Sequence, residues 1–231
     1  MSEVNKNKMD EELKKHVVKT GTTTLGIVCR DGIVIAADKR GTYGSDHGVT
    51  YIAGKDQQKI YELTPEIIVT TAGTASDTVR IIKVARAELK LKELRSKSKP
   101  TVDNAANLFS NIAYHGIRTP SMIPSIAHFL MAGYDDNGVY LYDIMPDGLL
   151  EKINNYAVSG SGKISVNPIL DSEYDKKISV DEGIKLAKKC ITASMGRDPA
   201  TGDGIDIYVV KKGEVKQVAA QIIVSEYKDR N

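Results

Sequence analysis

Residues 22–38, with the sequence TTTLGIVCRDGIVIAAD, decide the fold of this 231-residue chain. Two runs of β-branched and apolar residues flank Asp31-Gly32, a pair that favours a tight turn between antiparallel strands. The second run, residues 33–37, is apolar at every position, and a strand of this kind needs cover on both faces of its sheet. The stretch therefore predicts a hairpin at the centre of a layered structure.

Three further hairpins are predicted along the chain, because strand-like runs there alternate with turn residues. They occupy residues 59–72, 126–144 and 205–224. Residues 145–148, with the sequence MPDG, are expected to turn the chain into one more strand. Antiparallel strands are thus expected from one end of the chain to the other.

Three helices are predicted between these hairpins. Ser76 is a suitable N-cap for the first helix, which is expected to end near Arg95. Pro100-Thr101 opens the second helix, and Ser179 with Glu182 forms the capping-box pattern before the third. Hairpins interleaved with helices indicate an α+β chain in which two antiparallel sheets face each other with helices outside.

Composition excludes several classes of protein. Hydrophobic residues make up 41% and charged residues 27% of the chain, which are the proportions of ordinary globular domains. The formal net charge of +2 is too small to indicate a nucleic-acid-binding surface. Residues 1–15 are too charged for a secretory signal, no segment is apolar enough to span a membrane, and only two cysteines occur. We therefore expect a cytoplasmic protein that binds neither nucleic acid nor membrane.

The triplet Thr22-Thr23-Thr24, preceded by Gly21, has two interpretations. Threonine is a good strand former, and by itself the triplet needs no other explanation. The alternative is a hydroxyl nucleophile, which requires charged and polar partners elsewhere in the chain. Residues of suitable type follow in order: Asp38 at the end of a strand, Lys59, Gly73 between a strand and a helix, Ser161 in a Ser-Gly-Ser-Gly loop, and Asp198 and Thr201 before the last hairpin.

Together these positions resemble the archaeal type of proteasome β subunit, over nearly the whole length from residue 21 to about residue 224. The resemblance implies the four-layer αββα sandwich of the N-terminal-nucleophile hydrolases. It also implies that residues 1–21 are a propeptide removed by autolysis between Gly21 and Thr22, and that residues 22–231 form the hydrolase domain. The mature enzyme would be a threonine endopeptidase that degrades unfolded proteins to short peptides.

The same resemblance assigns a role to each matching residue. Thr22 is the nucleophile, Asp38 and Lys59 are its charged partners, and the backbone N–H of Gly73 stabilises the oxyanion. The supporting network consists of Ser161, Asp198 and Thr201, and the substrate pocket is lined by Gly41, Thr71 and Ala75. Most family members have serine in place of Thr201, and we expect the threonine hydroxyl to keep the same hydrogen bonds.

A free α-amine on Thr22 would supply the base that such a hydroxyl needs. Its reference pKa is about 7.7–8.0, so roughly a tenth of it is neutral at pH 7. A nearby Lys59 ammonium would lower that pKa and raise the neutral fraction, and Asp38 can keep the lysine charged and correctly aimed. An amide nitrogen is not a base, so removal of residues 1–21 is a requirement for activity.

The resemblance implies several partners and no cofactor. We expect α-type subunits outside, other β subunits in heptameric rings, and an ATP-dependent unfoldase that delivers unfolded polypeptide. No metal is expected, because residues 198–206 lack the ligand spacing of a calcium loop. Residues 160–163 are not a phosphate loop, because Ala157 stands where its first glycine would be and Ile164 where a hydroxyl would hold Mg²⁺.

Two other functions are compatible with these residues. The chain could be an uncleaved β subunit that only builds the ring, or a different amidohydrolase on the same fold. The charged residues also have simpler interpretations, since Lys59 could be a surface lysine and Asp38 could merely pair with Arg40. The functional hypothesis therefore requires that these side chains meet beside Thr22 in the folded chain.

Overall fold

The computed structural model describes residues 21–44, 50–121 and 125–223, which form thirteen strands and four helices. The strands are β1 Thr23–Cys29, β2 Gly32–Asp38, β3 Gly41–Gly44, β4 Thr50–Gly54, β5 Ile60–Thr64, β6 Ile67–Thr70, β7 Ala72–Gly73, β8 Ala127–Asp135, β9 Gly138–Ile144, β10 Leu150–Ile153, β11 Tyr156–Gly160, β12 Gly204–Lys211 and β13 Glu214–Ile222. The helices are α1 Ala75–Ser96, α2 Val102–Arg118, α3 Lys163–Glu173 and α4 Val180–Met195. Except for Gly21, the predicted propeptide lies outside the described residues, as does Val224, the predicted end of the last strand.

Most strands belong to two antiparallel sheets. The first sheet has five strands in the order β11-β1-β2-β12-β13. The second has six strands, in which β10-β9-β8-β6-β5 form a continuous path and β7 pairs with β8. A separate two-stranded ribbon is formed by β3 and β4. The four hairpins predicted from the sequence are all present.

Three apolar layers separate four layers of secondary structure. Ile35 from the first sheet and Ile68 from the second lie in the layer between the sheets. Helices α3 and α4 cover the outer face of the five-stranded sheet. Helices α1 and α2 cover the outer face of the other sheet, where Phe109 and Phe129 meet edge to face with ring centroids 5.0 Å apart. The predicted α+β fold, an αββα sandwich, is therefore confirmed.

The turn of the first hairpin lies one residue earlier than predicted. Gly32 pairs with Cys29 inside the ladder, so Arg30 and Asp31 form the loop. The glycine is needed for another reason, since a Cβ at this position would approach the carbonyl oxygen of Val210 to 2.7 Å. The pair Asp31-Gly32 thus indicated the hairpin correctly but misplaced its tip.

The predicted start of the first helix is wrong by two residues. Helix α1 begins at Ala75 with Thr74 as its N-cap, and Ser76 lies in the first turn. The Thr74 side chain makes no capping hydrogen bond, so the usual preference for a capping hydroxyl did not mark this boundary. The capping box of Ser179 and Glu182, in contrast, opens α4 as predicted.

One helix and three strands escaped prediction. Helix α3 contains Pro168, a residue that argues against a helix interior, although Val166 and Leu170 are buried one turn apart. Strand β11 leads directly into a loop of small residues, so its sequence does not stand out as a strand. Strands β3 and β4 lie in a stretch where apolar and polar residues do not alternate clearly. Among the described residues, no helix is long and apolar enough to cross a membrane.

Candidate active site

Thr22 lies at the end of the sandwich, immediately before β1. The pairing of Thr23 with Gly160 brings this end of β1 against the loop that follows β11. The backbone N–H of Thr22 donates to Ser161 Oγ at 3.2 Å, and Thr22 itself is 7% exposed. Gly160 has φ +90°, and a Cβ here would lie 2.0 Å from the Thr22 carbonyl oxygen. Only glycine allows the two backbones to approach this closely.

Asp38 and Lys59 form a buried ion pair beside this strand end. Lys59 Nζ donates to Asp38 Oδ1 at 2.7 Å, and their side chains are 4% and 0% exposed. Asp38 closes β2 of one sheet, while Lys59 directly precedes β5 of the other. The pair therefore joins the two sheets at the end of the molecule where Thr22 lies.

The burial of Lys59 changes its acid–base behaviour. Removal from solvent lowers the pKa of its ammonium group below the usual range, and the Asp38 carboxylate opposes this effect. Lys59 consequently releases its proton more readily than an exposed lysine would, while Asp38 fixes the direction of the Nζ atom.

Neither simpler interpretation of the charged residues holds in the structure. Lys59 is buried and is not a surface lysine. The Arg40 guanidinium pairs with Asp203 at 2.7 Å, and Arg40 reaches Asp38 only through its backbone N–H, at 3.0 Å. Asp38 is thus free of competition from the Arg40 side chain and binds Lys59.

Ser161, Asp198 and Thr201 form a second polar network on the other side of Thr22. Ser161 Oγ and Thr201 Oγ1 both donate to Asp198 Oδ2, at 2.6 Å and 2.7 Å. The backbone N–H of Ala200 donates to Oδ1 of the same carboxylate at 3.0 Å. Ser161 and Thr201 are therefore linked through one carboxylate oxygen of Asp198.

Four residues of the site are not singled out by the sequence. Thr23 and Gly202 donate backbone N–H groups to Asp38, at 2.9 Å and 3.0 Å. Ser194 Oγ lies 2.8 Å from Thr23 Oγ1, and Thr42 Oγ1 accepts the N–H of Gly21 at 3.1 Å. The sequence marks Thr23 only as a strand former, and no local pattern marks the others.

Gly21 occupies a position that tolerates no side chain. A Cβ on this residue would lie 1.9 Å from the Cβ of Ala200 and 2.8 Å from Ser161 Oγ. Gly21 also lines the same pocket as Thr22. The peptide bond between these two residues therefore lies within the candidate site.

The predicted pocket residues surround a cavity beside Thr22. Its volume is about 160 Å³, and Gly41, Thr71, Gly73 and Ala75 are among its lining residues. A cavity of roughly 150 Å³ can hold benzene, so this one has room for a single side chain of moderate size. Two of the described lining residues are charged, Arg40 and Lys59, and each forms an ion pair. The other described lining residues are uncharged, and they include Thr42, Tyr43, Ala53, Gln57, Gln58, Tyr61, Thr78 and Val79.

Gly73 has a conformation that favours glycine. Its φ is +112°, and a Cβ would lie 2.3 Å from the carbonyl oxygen of Ile126. The residue ends β7 and comes two positions before α1. Its backbone thus borders the pocket at a strand-to-helix turn, as the sequence predicted.

In the described part of the chain, no three His, Cys, Asp or Glu side chains are grouped closely enough to bind a metal ion.

Comparison with known proteins agrees with this geometry. Residues 18–210 match the family model described as "Proteasome subunit". The chain is similar to the proteasome subunit beta of Archaeoglobus profundus, with 37% identity over 202 residues that cover 87% of this chain and 89% of the relative.

Other archaeal relatives give similar values. The proteasome subunit beta of Ferroglobus placidus is 36% identical over 88% of this chain and 92% of its own length. That of Methanococcus aeolicus is 36% identical over 85% of this chain and 87% of its own length. The similarity therefore covers most of the chain and is not limited to the residues around Thr22.

Proposed function

The chain belongs to the proteasome subunit family, and from this membership we propose that it is a threonine endopeptidase whose nucleophile is Thr22. The observation that carries the proposal is the buried Asp38–Lys59 pair, with its 2.7 Å hydrogen bond, whose lysine lines the same pocket as Thr22. A purely structural subunit would have no need to bury a lysine at this position, because an ion pair removed from water contributes little net stability.

In this proposal, residues 1–21 are a propeptide that the chain removes itself. The Thr22 hydroxyl attacks the carbonyl carbon of Gly21, and the resulting ester is hydrolysed to release the propeptide. Because a Cβ on Gly21 would overlap Ala200, glycine is required for the scissile bond to occupy this position. Residues 22–231 then form the mature domain, whose first nitrogen is a free amine.

The catalytic cycle uses that amine as the general base. The amine accepts the Thr22 hydroxyl proton as the oxygen attacks the substrate carbonyl, and the backbone N–H of Gly73 stabilises the oxyanion. The amine passes the proton to the leaving nitrogen, and water then hydrolyses the acyl ester. Lys59, aimed by Asp38, favours the neutral form of the amine through its positive charge.

The substrate in this proposal is unfolded polypeptide with an apolar side chain before the cut. The pocket supports this choice, because it has space for one side chain of moderate size and both of its charged residues are paired. The enzyme would act in the cytoplasm within heptameric rings of β subunits, flanked by α-type subunits and supplied by an ATP-dependent unfoldase.

Processing and activity test the proposal together. We expect the Thr22→Ala variant, assembled with an α-type subunit, to keep residues 1–21 and to lose peptide hydrolysis by a factor of about 10⁴ or more, because both reactions need the hydroxyl. Thr22→Ser, which keeps a hydroxyl, should retain both reactions. Intact mass spectrometry and hydrolysis of a fluorogenic peptide are the measurements.

Three outcomes separate the alternatives. A wild-type chain that stays full-length in the assembled particle would identify a scaffold subunit. A processed chain that hydrolyses small amides but not unfolded polypeptide would indicate another amidohydrolase. Normal peptide cleavage by Thr22→Ala would overturn the mechanism itself.

A further inference from the structure

Two neighbouring threonines of β1 belong to separate clusters of buried hydroxyl groups. Thr23 Oγ1 contacts the hydroxyls of Ser194 and Thr201, at 2.8 Å and 2.6 Å. Thr24 Oγ1 contacts those of Ser159 and Thr70, at 2.8 Å and 3.0 Å. Both threonines are 0% exposed. The two clusters differ in one respect, because only the first continues into the network around Thr22.

The direction of the first cluster follows from counting its hydrogens. A carboxylate has no hydrogen to donate, so Thr201 must donate its single hydroxyl hydrogen to Asp198 Oδ2. Thr23 must then donate to Thr201, and Ser194 must donate to Thr23, since each hydroxyl has one hydrogen. The result is a directed chain of three donors that ends on Asp198.

The same count determines what Ser161 offers to Thr22. The Ser161 hydroxyl hydrogen points to Asp198 Oδ2 at 2.6 Å, so its oxygen faces the Thr22 nitrogen as an acceptor at 3.2 Å. Asp198 Oδ2 is thus shared by Ser161 and by the chain from Thr23. A change at Thr23 therefore reaches the Thr22 nitrogen through a continuous series of hydrogen bonds.

Thr23 also contacts the charged pair on the opposite side of Thr22. Its backbone N–H donates to Asp38 Oδ1 at 2.9 Å, and the same oxygen accepts from Lys59. One residue thus binds Asp38 through its backbone and the Asp198 network through its side chain. Gly162 leaves the space that these hydroxyls occupy, since a Cβ on Gly162 would lie 1.8 Å from Thr23 Oγ1 and 2.0 Å from Ser194 Oγ.

We propose that Thr23, supported by Ser194, is a positioning residue that links the Asp38–Lys59 pair to the Asp198–Ser161 pair and thereby sets the basicity of the Thr22 amine. This inference rests on the proposed function, in which Thr22 bears a free amine. Neither Thr23 nor Ser194 touches the substrate in this role, and both act through Asp198.

The expected effect has a definite sign. Without the donor from Thr23, Thr201 becomes a weaker donor to Asp198, because successive hydrogen bonds polarise one another. Asp198 then attracts the Ser161 hydrogen more strongly and makes the Ser161 oxygen a better acceptor for the Thr22 amine. A better acceptor favours the ammonium form, so the pKa of the amine rises.

Thr23→Val is the direct test, since valine keeps the branched shape and the backbone N–H. Thr24→Val is its matched control, because it removes an equally buried hydroxyl that has no contact with Asp198. The amine pKa can be measured in processed particles from the pH dependence of Thr22 carbamylation by cyanate, followed by peptide mass spectrometry. We expect the midpoint to rise by about 0.5 pH unit in Thr23→Val and to stay unchanged in Thr24→Val.

Two further variants keep the test decisive. Thr23→Ser retains the hydroxyl and should restore the wild-type midpoint. Ser194→Ala should raise the midpoint by a smaller amount and serves as the deciding variant if Thr23→Val does not assemble. Unchanged midpoints in Thr23→Val or, failing its assembly, in Ser194→Ala would overturn the inference. Because carbamylation needs no turnover, a processed wild type without peptidase activity would refute the proposed function separately.

Discussion

Asp38 organises the site through four hydrogen bonds to a single carboxylate. It accepts from the Lys59 ammonium at 2.7 Å and from the backbone N–H groups of Thr23, Arg40 and Gly202. The side chain is fully buried, so each of these bonds replaces a lost contact with water. Asp38 therefore has one orientation, and Lys59 takes its own from it.

Removal of Lys59 should be costly for stability as well as for activity. In Lys59→Met the Asp38 carboxylate stays buried without its counter-ion, so we expect the free energy of unfolding to fall by about 3 kcal/mol. Peptide hydrolysis should fall by a factor of about a hundred or more. Urea unfolding of the unassembled chain and peptide cleavage by assembled particles are the measurements.

An exposed ion pair provides the control for this variant. Lys90 and Glu93 lie one turn apart on α1, with a distance of 2.8 Å and side chains that are 64% and 37% exposed. Lys90→Met should change the unfolding free energy by only about 0.5 kcal/mol or less. Equal losses in the two variants would contradict the assignment of Lys59 to a buried, functional pair.

Gly160 offers a second prediction at the residue scale. In Gly160→Ala the new methyl would meet the Thr22 carbonyl oxygen and displace Thr22, so the proposed removal of residues 1–21 should stop. Gly213→Ala is the control, since Gly213 has nearly the same φ, +87°, but a Cβ added there would meet nothing within 4 Å. Both variants carry the cost of a side chain at positive φ, about 1–2 kcal/mol. Intact mass should therefore differ between them even where their unfolding free energies are alike.

At the scale of elements, the ribbon of β3 and β4 borders the pocket with aromatic side chains. Tyr43 and Tyr51 stack with ring centroids 6.2 Å apart, and they remain 42% and 55% exposed. Tyr43 and Ala53 also line the pocket. The ribbon thus extends the uncharged surface of the pocket outward.

Loss of one ring should weaken substrate binding without affecting the chemistry. For an apolar peptide substrate, Tyr43→Ser is expected to raise KM by about three- to tenfold while kcat stays within about twofold, because an aromatic contact is worth about 1 kcal/mol. Tyr114→Ser, at a residue 45% exposed on α2, should leave both constants unchanged. A fall in kcat with unchanged KM in Tyr43→Ser would contradict a binding role for the ribbon.

At the scale of the whole molecule, each outer apolar layer lies between a sheet and two helices. Cys29 on β1 and Cys190 on α4 lie in the same layer, between the five-stranded sheet and α3 and α4. Both are free thiols, and burial raises the pKa of each to about 12. Neither thiol can ionise in the folded chain at the pH where an unfolded cysteine does.

This difference makes the stability of the molecule depend on alkaline pH. The unfolded thiols lose their protons near pH 8.5, whereas the folded thiols keep theirs up to about pH 12. The cysteine contribution is therefore complete below pH 8.5 and is lost as the pH rises through this interval. Each cysteine should contribute a slope approaching about 1.4 kcal/mol per pH unit.

Urea unfolding between pH 8.5 and pH 9.5 measures this slope, and comparison with a variant that lacks both cysteines separates it from the contribution of tyrosines, which begin to ionise in the same range. The double variant Cys29→Ala/Cys190→Ala should be less stable at pH 7 but should lose less stability per pH unit. A slope identical to that of the wild type would show that the pKa values of these thiols do not differ between the folded and unfolded states.

Local patterns in the sequence determined the hairpins, the capping box of α4 and the order of the candidate site residues. These features depend on neighbours in the chain: alternation sets a strand, and Ser179 needs only Glu182 three residues later. Helix α3 escapes prediction for the same reason, since its Pro168 argues against a helix locally while Val166 and Leu170 are buried by contacts distant in sequence.

Only the tertiary structure decided which of the candidate residues meet. Asp38 and Lys59 come from different sheets and Ser194 from a helix 171 residues beyond Thr23, so no local pattern relates them. The packing of the two sheets places Lys59 in a buried position. Burial lowers the pKa of its ammonium group, which forms an ion pair with Asp38. The residue types of the site can be read from the chain, but the electrostatic environment that shifts the pKa of Lys59 exists only once distant segments exclude water together.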